Sequence, residues 1–191
     1  MRGATLEILL LAGGAARRFP GKLMHRVDGV PMLLRTYEAL KTTGRHVWIL
    51  ADGPLPSGVD ASIDAPLLID RVPHRGPLPA VCDACRAVRC DYVFVAAADM
   101  PDLPGSIVER LAEARRPADE AVVPVHDGSI EPLAALYRRS AVLDAWPALR
   151  HSAKPSMHAL IERLATRFVP LPAAYFTNVN RPGDISARTA L

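Results

Sequence analysis

Aromatic side chains are scarce in this chain: Phe, Trp and Tyr together make up 5% of its 191 residues. A surface that stacks unpaired bases needs such rings interleaved with cations. Here 23 Lys and Arg stand against 20 Asp and Glu, a net charge of +3, and basic side chains never run longer than two in a row. A general nucleic-acid binder is therefore disfavoured, although a pI near 9.0 suits anionic ligands. Long apolar runs are missing too. No stretch approaches the ~18 residues that span a bilayer, and Glu7 stands before a first hydrophobic run that ends in glycine. A soluble, cytoplasmic chain with no membrane partner is expected.

Cysteine is rare, with Cys82, Cys85 and Cys90 the three present, so they cannot all pair internally. C-D-A-C at 82–85 lacks a second pair at zinc spacing, and the three read as small buried hydrophobes of one helix. Both common phosphate loops are absent. Leu23 follows Lys22 where G-x-x-x-x-G-K-[ST] requires Ser or Thr, and the adjacent Gly13-Gly14 does not make G-x-G-x-x-G. No serine elbow or ligand-spaced histidine pair occurs, His126 and His158 standing without such partners, so a hydrolase has no support.

What is present is half hydrophobic, 50% of the residues, enough for one sizeable core, and a single domain over 1–191 is expected. Apolar runs at 8–11, 47–51, 67–69, 92–97, 121–125, 131–137 and 167–171 read as strands. The run at 92–97 is apolar throughout, as a strand covered on both faces would be. Helical spacing occupies 31–40, 80–88, 106–115, 141–149 and 156–164, with Gly105-Ser106 as the cap of the third. The segment 54–66, with three prolines, reads as a surface connection, and the strand at 131–137 is close enough to its predecessor to pair antiparallel with it. Strands alternating with helices predict a three-layer α/β/α sandwich around a mostly parallel, Rossmann-like sheet with one antiparallel strand.

In such a sheet ligands bind beyond the carboxyl ends of the strands, where the chain order reverses. The first strand ends in L-A-G-G at 11–14, followed by Arg17, Arg18 and Lys22. Glycines let backbone N–H groups approach a phosphate, and the cations supply opposite charge, so nucleotide phosphates are expected here. Asp99 closes the most apolar strand and would face those phosphates; a carboxylate in that position suits Mg²⁺, with Asn180 as a second oxygen. Asp99 also fits a turn before Met100-Pro101, and Asn178 and Asn180 an Asx turn before Pro182-Gly183. Asp52 and Asp70 end two more strands. R-G-P-L at 75–78 opens a helix, where Gly76, Pro77 and Leu78 are candidates to grip a base or sugar.

Taken together these motifs resemble the nucleotidyltransferases of molybdenum cofactor biosynthesis. L-A-G-G-A-A-R-R-F at 11–19 is similar to that family's L-A-G-G-x-x-x-R-M/F loop, with Lys22 in the place of its phosphate lysine. R-G-P-L is similar to its G-P-L-A-G, D-M-P-D-L-P at 99–104 to its D-x-P-x-L-P, E-P-L-A-A-L-Y at 131–137 to its H-P-L-x-A-L-Y, and N-V-N-R-P-G-D at 178–184 to its N-x-N-T-P-E-D. The closing N-V-N and the R-G-P-L favour the guanylyl over the cytidylyl branch. The resemblance implies a fold of the nucleotide-diphospho-sugar transferase type, GTP and Mg²⁺ as ligands, and molybdopterin or its molybdenum form as acceptor. It also implies roles. Lys22, Arg18 and Asp99 would be catalytic; Leu11, Ala12, Gly13, Gly14, Asp52, Asp70, Gly76, Pro77 and Leu78, with Lys22 and Asp99, would hold the nucleotide. Asn178, Asn180 and Lys154 would meet the acceptor, and Asp99 and Asn180 the metal.

The chain departs from the family at three points. Pro20-Gly21 replaces the usual x-D before the lysine, Pro79-Ala80 replaces A-G, and Ala51-Asp52 stands where an asparagine near the base is expected. Asp52 can still accept from the guanine N1–H and N2–H₂ edge. A cytidylyltransferase for the same pterin, a sugar-1-phosphate nucleotidyltransferase and a non-catalytic nucleotide-binding module are the alternatives.

Overall fold

The computed structural model describes residues 4–13, 21–70, 75–152, 155–177 and 179. β1 (Leu6–Leu11) leads through the described Gly13 to a 3-10 turn at Lys22–Met24 and a two-stranded ribbon, β2 (Arg26–Val27) with β3 (Val30–Pro31). Then come α1 (Met32–Lys41), β4 (Val47–Ala51), β5 (Leu67–Ile69), α2 (Pro77–Ala87) and β6 (Tyr92–Ala97). The second half holds α3 (Ile107–Ala114), β7 (Ala121–His126), β8 (Ser129–Ile130), β9 (Ala134–Arg138), α4 (Arg139–Leu149), α5 (Met157–Ile161) and β10 (Thr166–Pro170).

The main sheet runs in the order β10, β7, β9, β6, β1, β4, β5, with β8 paired to the end of β7. β1 is parallel to both β4 and β6, and β10 is parallel to β7. β9 runs antiparallel to both its neighbours, as the expected single reversed strand, and the short β8 is a second one. From β1 the chain builds outward to β4 and β5, then crosses back to β6 on the other side of β1. The order therefore reverses between β1 and β6, and a doubly wound sheet opens a ligand crevice at such a point.

Side chains alternate across the sheet, so each strand feeds two cores. Ile8, Leu10 and Phe94 pack with Leu33, Tyr37 and Leu40 of α1 and Ile107 and Leu111 of α3. Leu9, Val93 and Val95 pack with Val81 and Cys85 of α2, Val142 and Trp146 of α4 and Leu160 of α5. All six residues of β6 are buried, which is why the sequence there shows no polar alternation. Among the described residues no helix is long and apolar enough to cross a membrane.

Several elements differ from their sequence-based expectation. α2 starts at Pro77 rather than at 80, because the N–H groups of a first helical turn have no intrahelical partner and Pro77 and Pro79 forfeit nothing there. Ser106 makes no side-chain cap; its own φ of −59° and ψ of −15° are already helical. The connection 54–66 is anchored by a 3-10 turn at Asp60–Ser62 flanked by Val59, fully buried, and Ile63. Residues 131–133 form a turn, so the strand begins at Ala134, and α5 stops at Ile161.

Cys82, Cys85 and Cys90 are free and buried, the first two in α2 and the third beyond its end. Burial pushes the Cys82 thiol up to about 12 and that of Cys90 to about 11, and raises Cys85 as well. The thiolate is the reactive form, so alkylation by iodoacetamide at pH 8 is expected to be slow for the folded chain and fast in guanidinium, followed by intact mass. The sign of the pH effect follows. With folded values above the ordinary thiol value near ~8.5, the stability these groups contribute is intact below that pH and is lost as pH climbs toward 11 and 12.

Candidate active site

The carboxyl ends of β1 and β6 bring their polar residues together. Leu11 lies opposite Ala97 in the ladder, and the Ala98 N–H extends it by donating to the Leu11 carbonyl at 3.0 Å. One residue on, Asp99 turns out of the strand. Its carboxylate accepts from the Lys22 ammonium at 2.5 Å, an ion pair whose side chains are 12% exposed for Lys22 and 26% for Asp99. The 3-10 turn that carries Lys22 begins just after Gly21, and thus 77 residues of chain are closed by one contact.

Around this pair is a cleft of about 590 Å³ lined by Leu11, Ala12 and Gly13, by Gly21 to Met24, and by Leu50, Ala51 and Pro56. Among the described residues Asp70, Gly76, Pro77, Ala80, Ala97, Asp99 and Leu133 line it as well. Asp70 is held there by its N–H, which donates to the Ala51 carbonyl at 2.7 Å. Gly76 and Pro77 present the start of α2. Gly13 backs onto the end of β4: a Cβ at that position would meet the Asp52 nitrogen at 3.0 Å and Ala51 backbone at 3.4 Å. A side chain here would make the end of β4 give way by a few tenths of an ångström.

The structure narrows some of the sequence-based assignments. The Ala12 N–H donates to the Leu50 carbonyl at 2.8 Å, so it extends the sheet and has no proton left for a phosphate; the first amide beyond the ladder is that of Gly13. Leu78 is fully buried in the core under α2, so its side chain offers no surface to a ligand. Asp52 is exposed and stands outside the lining of the cleft. Gly14, Arg18, Lys154, Asn178 and Asn180 lie outside the described residues. Val179 does not: it is fully buried with Val27 and Met32, and its N–H donates to the Asp99 carbonyl at 3.2 Å.

Sequence reasoning passed over the apolar wall. Leu23 and Met24 follow Lys22 directly, and an apolar pair at the close of a basic loop was the available signal. Pro56 gave none, since it sits in a connection without periodicity.

Carboxylate oxygens are hard donors that suit Mg²⁺, an ion that keeps most of its waters and asks for one or two protein ligands. Asp99 fits that need, and a set of three or more His, Cys, Asp or Glu, which softer or more demanding ions require, is absent among the described residues. A cleft with an ammonium, a carboxylate and a glycine amide at one strand edge can bind a polyphosphate and neutralise its charge.

Residues 8–169 match the sequence pattern of the MobA-like NTP transferase domain. A protein of Mycobacterium avium named as a probable molybdenum cofactor guanylyltransferase is 32% identical over 189 residues, which cover 94% of this chain and 92% of the relative. Among solved structures, molybdopterin-guanine dinucleotide biosynthesis protein A from Archaeoglobus fulgidus superposes with a TM-score of 0.77 at 23% identity, over 95% of each chain. CMP:2-keto-3-deoxy-manno-octonic acid synthetase, solved with CTP, gives 0.80 at 18% identity over 98% of each. These two likenesses concern the fold.

Proposed function

The chain belongs to the MobA-like NTP transferase family and is a nucleotidyltransferase; from that premise we propose that it moves GMP from GTP onto the phosphate of molybdopterin or the molybdenum cofactor, releasing pyrophosphate. The observation that carries this reading is the Lys22–Asp99 pair at the floor of a cleft bounded by Gly13.

An acceptor phosphate oxygen attacks the α-phosphorus, and the bond to the β-phosphate oxygen breaks. Little proton transfer is needed; alignment and charge neutralisation supply the catalysis. The Gly13 amide and the Lys22 ammonium hold the β- and γ-phosphates, and Arg18 with Lys22 stabilises the departing pyrophosphate. Asp99, with Asn180, is the group that holds Mg²⁺; when bound, that ion supplies positive charge to the phosphate oxygens. Asp70 and the start of α2 at Gly76 and Pro77 meet the nucleoside, and Asn178 and Lys154 meet the acceptor. The apolar wall of Leu23, Met24 and Leu133 narrows the water available beside the reacting phosphates.

Cytidylyl transfer is the second reading, favoured by one observation: Asp52, the acceptor available for the guanine edge, stands outside the cleft lining. A thermal-shift panel of GTP, CTP, ATP and UTP, all at one concentration about a hundredfold above the Kd for GTP and each with Mg²⁺, separates the two. GTP is expected to raise the melting temperature by about 5–10 °C. A rise with CTP alone would overturn the guanylyl reading.

A further inference from the structure

The distance between Lys22 and Asp99 is set by two separate pieces of chain, and one side chain joins them. Arg35, on α1, donates from Nε to the Pro101 carbonyl at 2.8 Å and from one terminal nitrogen to the Asp28 carboxylate at 2.8 Å. Its other terminal nitrogen lies 3.8 Å from the Asp102 carboxylate. Asp28 is in the turn between β2 and β3, the ribbon that follows Lys22; within it the His25 N–H donates to the Lys22 carbonyl at 3.1 Å, and the His25 carbonyl accepts from Met32 at the start of α1. Pro101 and Asp102 form the turn that directly follows the one carrying Asp99, with Met100 shared between the two. Beside Arg35, the fully buried Thr36 hydroxyl stands 3.3 Å from the Ala98 carbonyl and 3.4 Å from that of Met100, the two carbonyls flanking Asp99.

We propose that Arg35 is a positioning residue for the transfer reaction: its guanidinium ties the ribbon behind Lys22 to the turn that follows Asp99 and so fixes the ammonium relative to the carboxylate. A planar fork holds its donors on three nitrogens in fixed, separate directions, whereas the three N–H groups of an ammonium share one nitrogen and cannot span acceptors spread as these are. The inference rests on the nucleotidyl-transfer reading above. Arg35 is itself outside the cleft lining and touches no reacting group.

The test compares wild type with Arg35→Met, which keeps the stem and removes every donor, and Arg35→Lys, which keeps the charge and loses the fork. Pyrophosphate release with GTP and molybdopterin is expected to show kcat about tenfold lower in Arg35→Met, with the KM for GTP within about threefold. Mn²⁺ alone, titrated by electron paramagnetic resonance into the nucleotide-free protein, is expected to bind Arg35→Met about tenfold more weakly. The melting temperature is expected to move little, because the side chain is 33% exposed and water can replace its contacts. Arg35→Lys is expected to leave most of both losses in place, and it is the variant read if Arg35→Met does not fold. Unchanged kcat and Mn²⁺ affinity, or full rescue by lysine, would overturn the proposal. A wild type that turns over no nucleotide sinks the transfer reading instead, and Arg35 is then judged on Mn²⁺ affinity alone.

Discussion

Asp99→Asn is expected to lower pyrophosphate release by about a thousandfold while leaving the fold intact, a loss of about 4 kcal/mol of transition-state stabilisation. The amide matches the carboxylate in shape but carries no charge, so it neither holds a divalent cation well nor neutralises the Lys22 ammonium, whose hydrogen bond its oxygen can still accept. At 26% exposure the carboxylate is sheltered enough for its charge to matter and open enough to reach a ligand. A protein that only bound nucleotide would show a different result: metal-dependent affinity would fall, and there would be no turnover to lose. Turnover of the variant within tenfold of wild type would remove Asp99 from the reaction. Circular dichroism of the same samples separates chemistry from unfolding.

The second large effect is on stability. A Cβ at Gly105 would sit 2.1 Å from the Ala39 carbonyl oxygen and 2.6 Å from the Thr42 hydroxyl. The first of these is backbone in the last full turn of α1 and cannot swing aside as a side chain would. Gly105→Ala must therefore push α1 away from the turn before α3, where Leu33, Leu40 and Ile107 share one core. The expected cost is about 3 kcal/mol, a fall in melting temperature of roughly 10 °C by differential scanning calorimetry. Gly53→Ala is the control, since nothing lies within 4 Å of a Cβ at that position and its φ is unexceptional. A fall of less than about 2 °C in Gly105→Ala would show that the two elements separate at little cost.

The features of the site that were legible from residues alone share a physical cause. β6 is buried along its whole length and β1 from Ile8 to Leu10, so the sequence shows apolar runs at 92–97 and 8–11, and the Gly13 and Asp99 that follow them mark the sheet edge. Lys22 follows Gly13 in the sequence. The start of the helix at Pro77 is not legible from residues alone, because proline signals a loop wherever its position within a helix is unknown. Ser106 was read as a cap from its residue type, yet capping depends on a dihedral angle that no residue type fixes. Leu78 and Ala12 are candidates because a helix start and a strand end present backbone N–H groups. Burial of one and the 2.8 Å bond from the other to Leu50 are properties of the packed sheet. Arg35 gave no signal at all, because its partners at 28, 101 and 102 become neighbours only after α1 docks on the turn beyond β6.

The place of β9 governs how this chain can be born. Its residues slot between β6 and β7, and β6 is complete at Ala97 whereas β9 starts at Ala134. On the ribosome the half that carries Lys22 and Asp99 emerges first, with the Tyr92–Ala97 backbone open along one side until residue 138 is out. An open apolar edge in the middle of a sheet invites pairing with other chains. A fragment cut before Ala134 would thus be expected to form aggregates, because the strand that covers the β6 edge is missing from it.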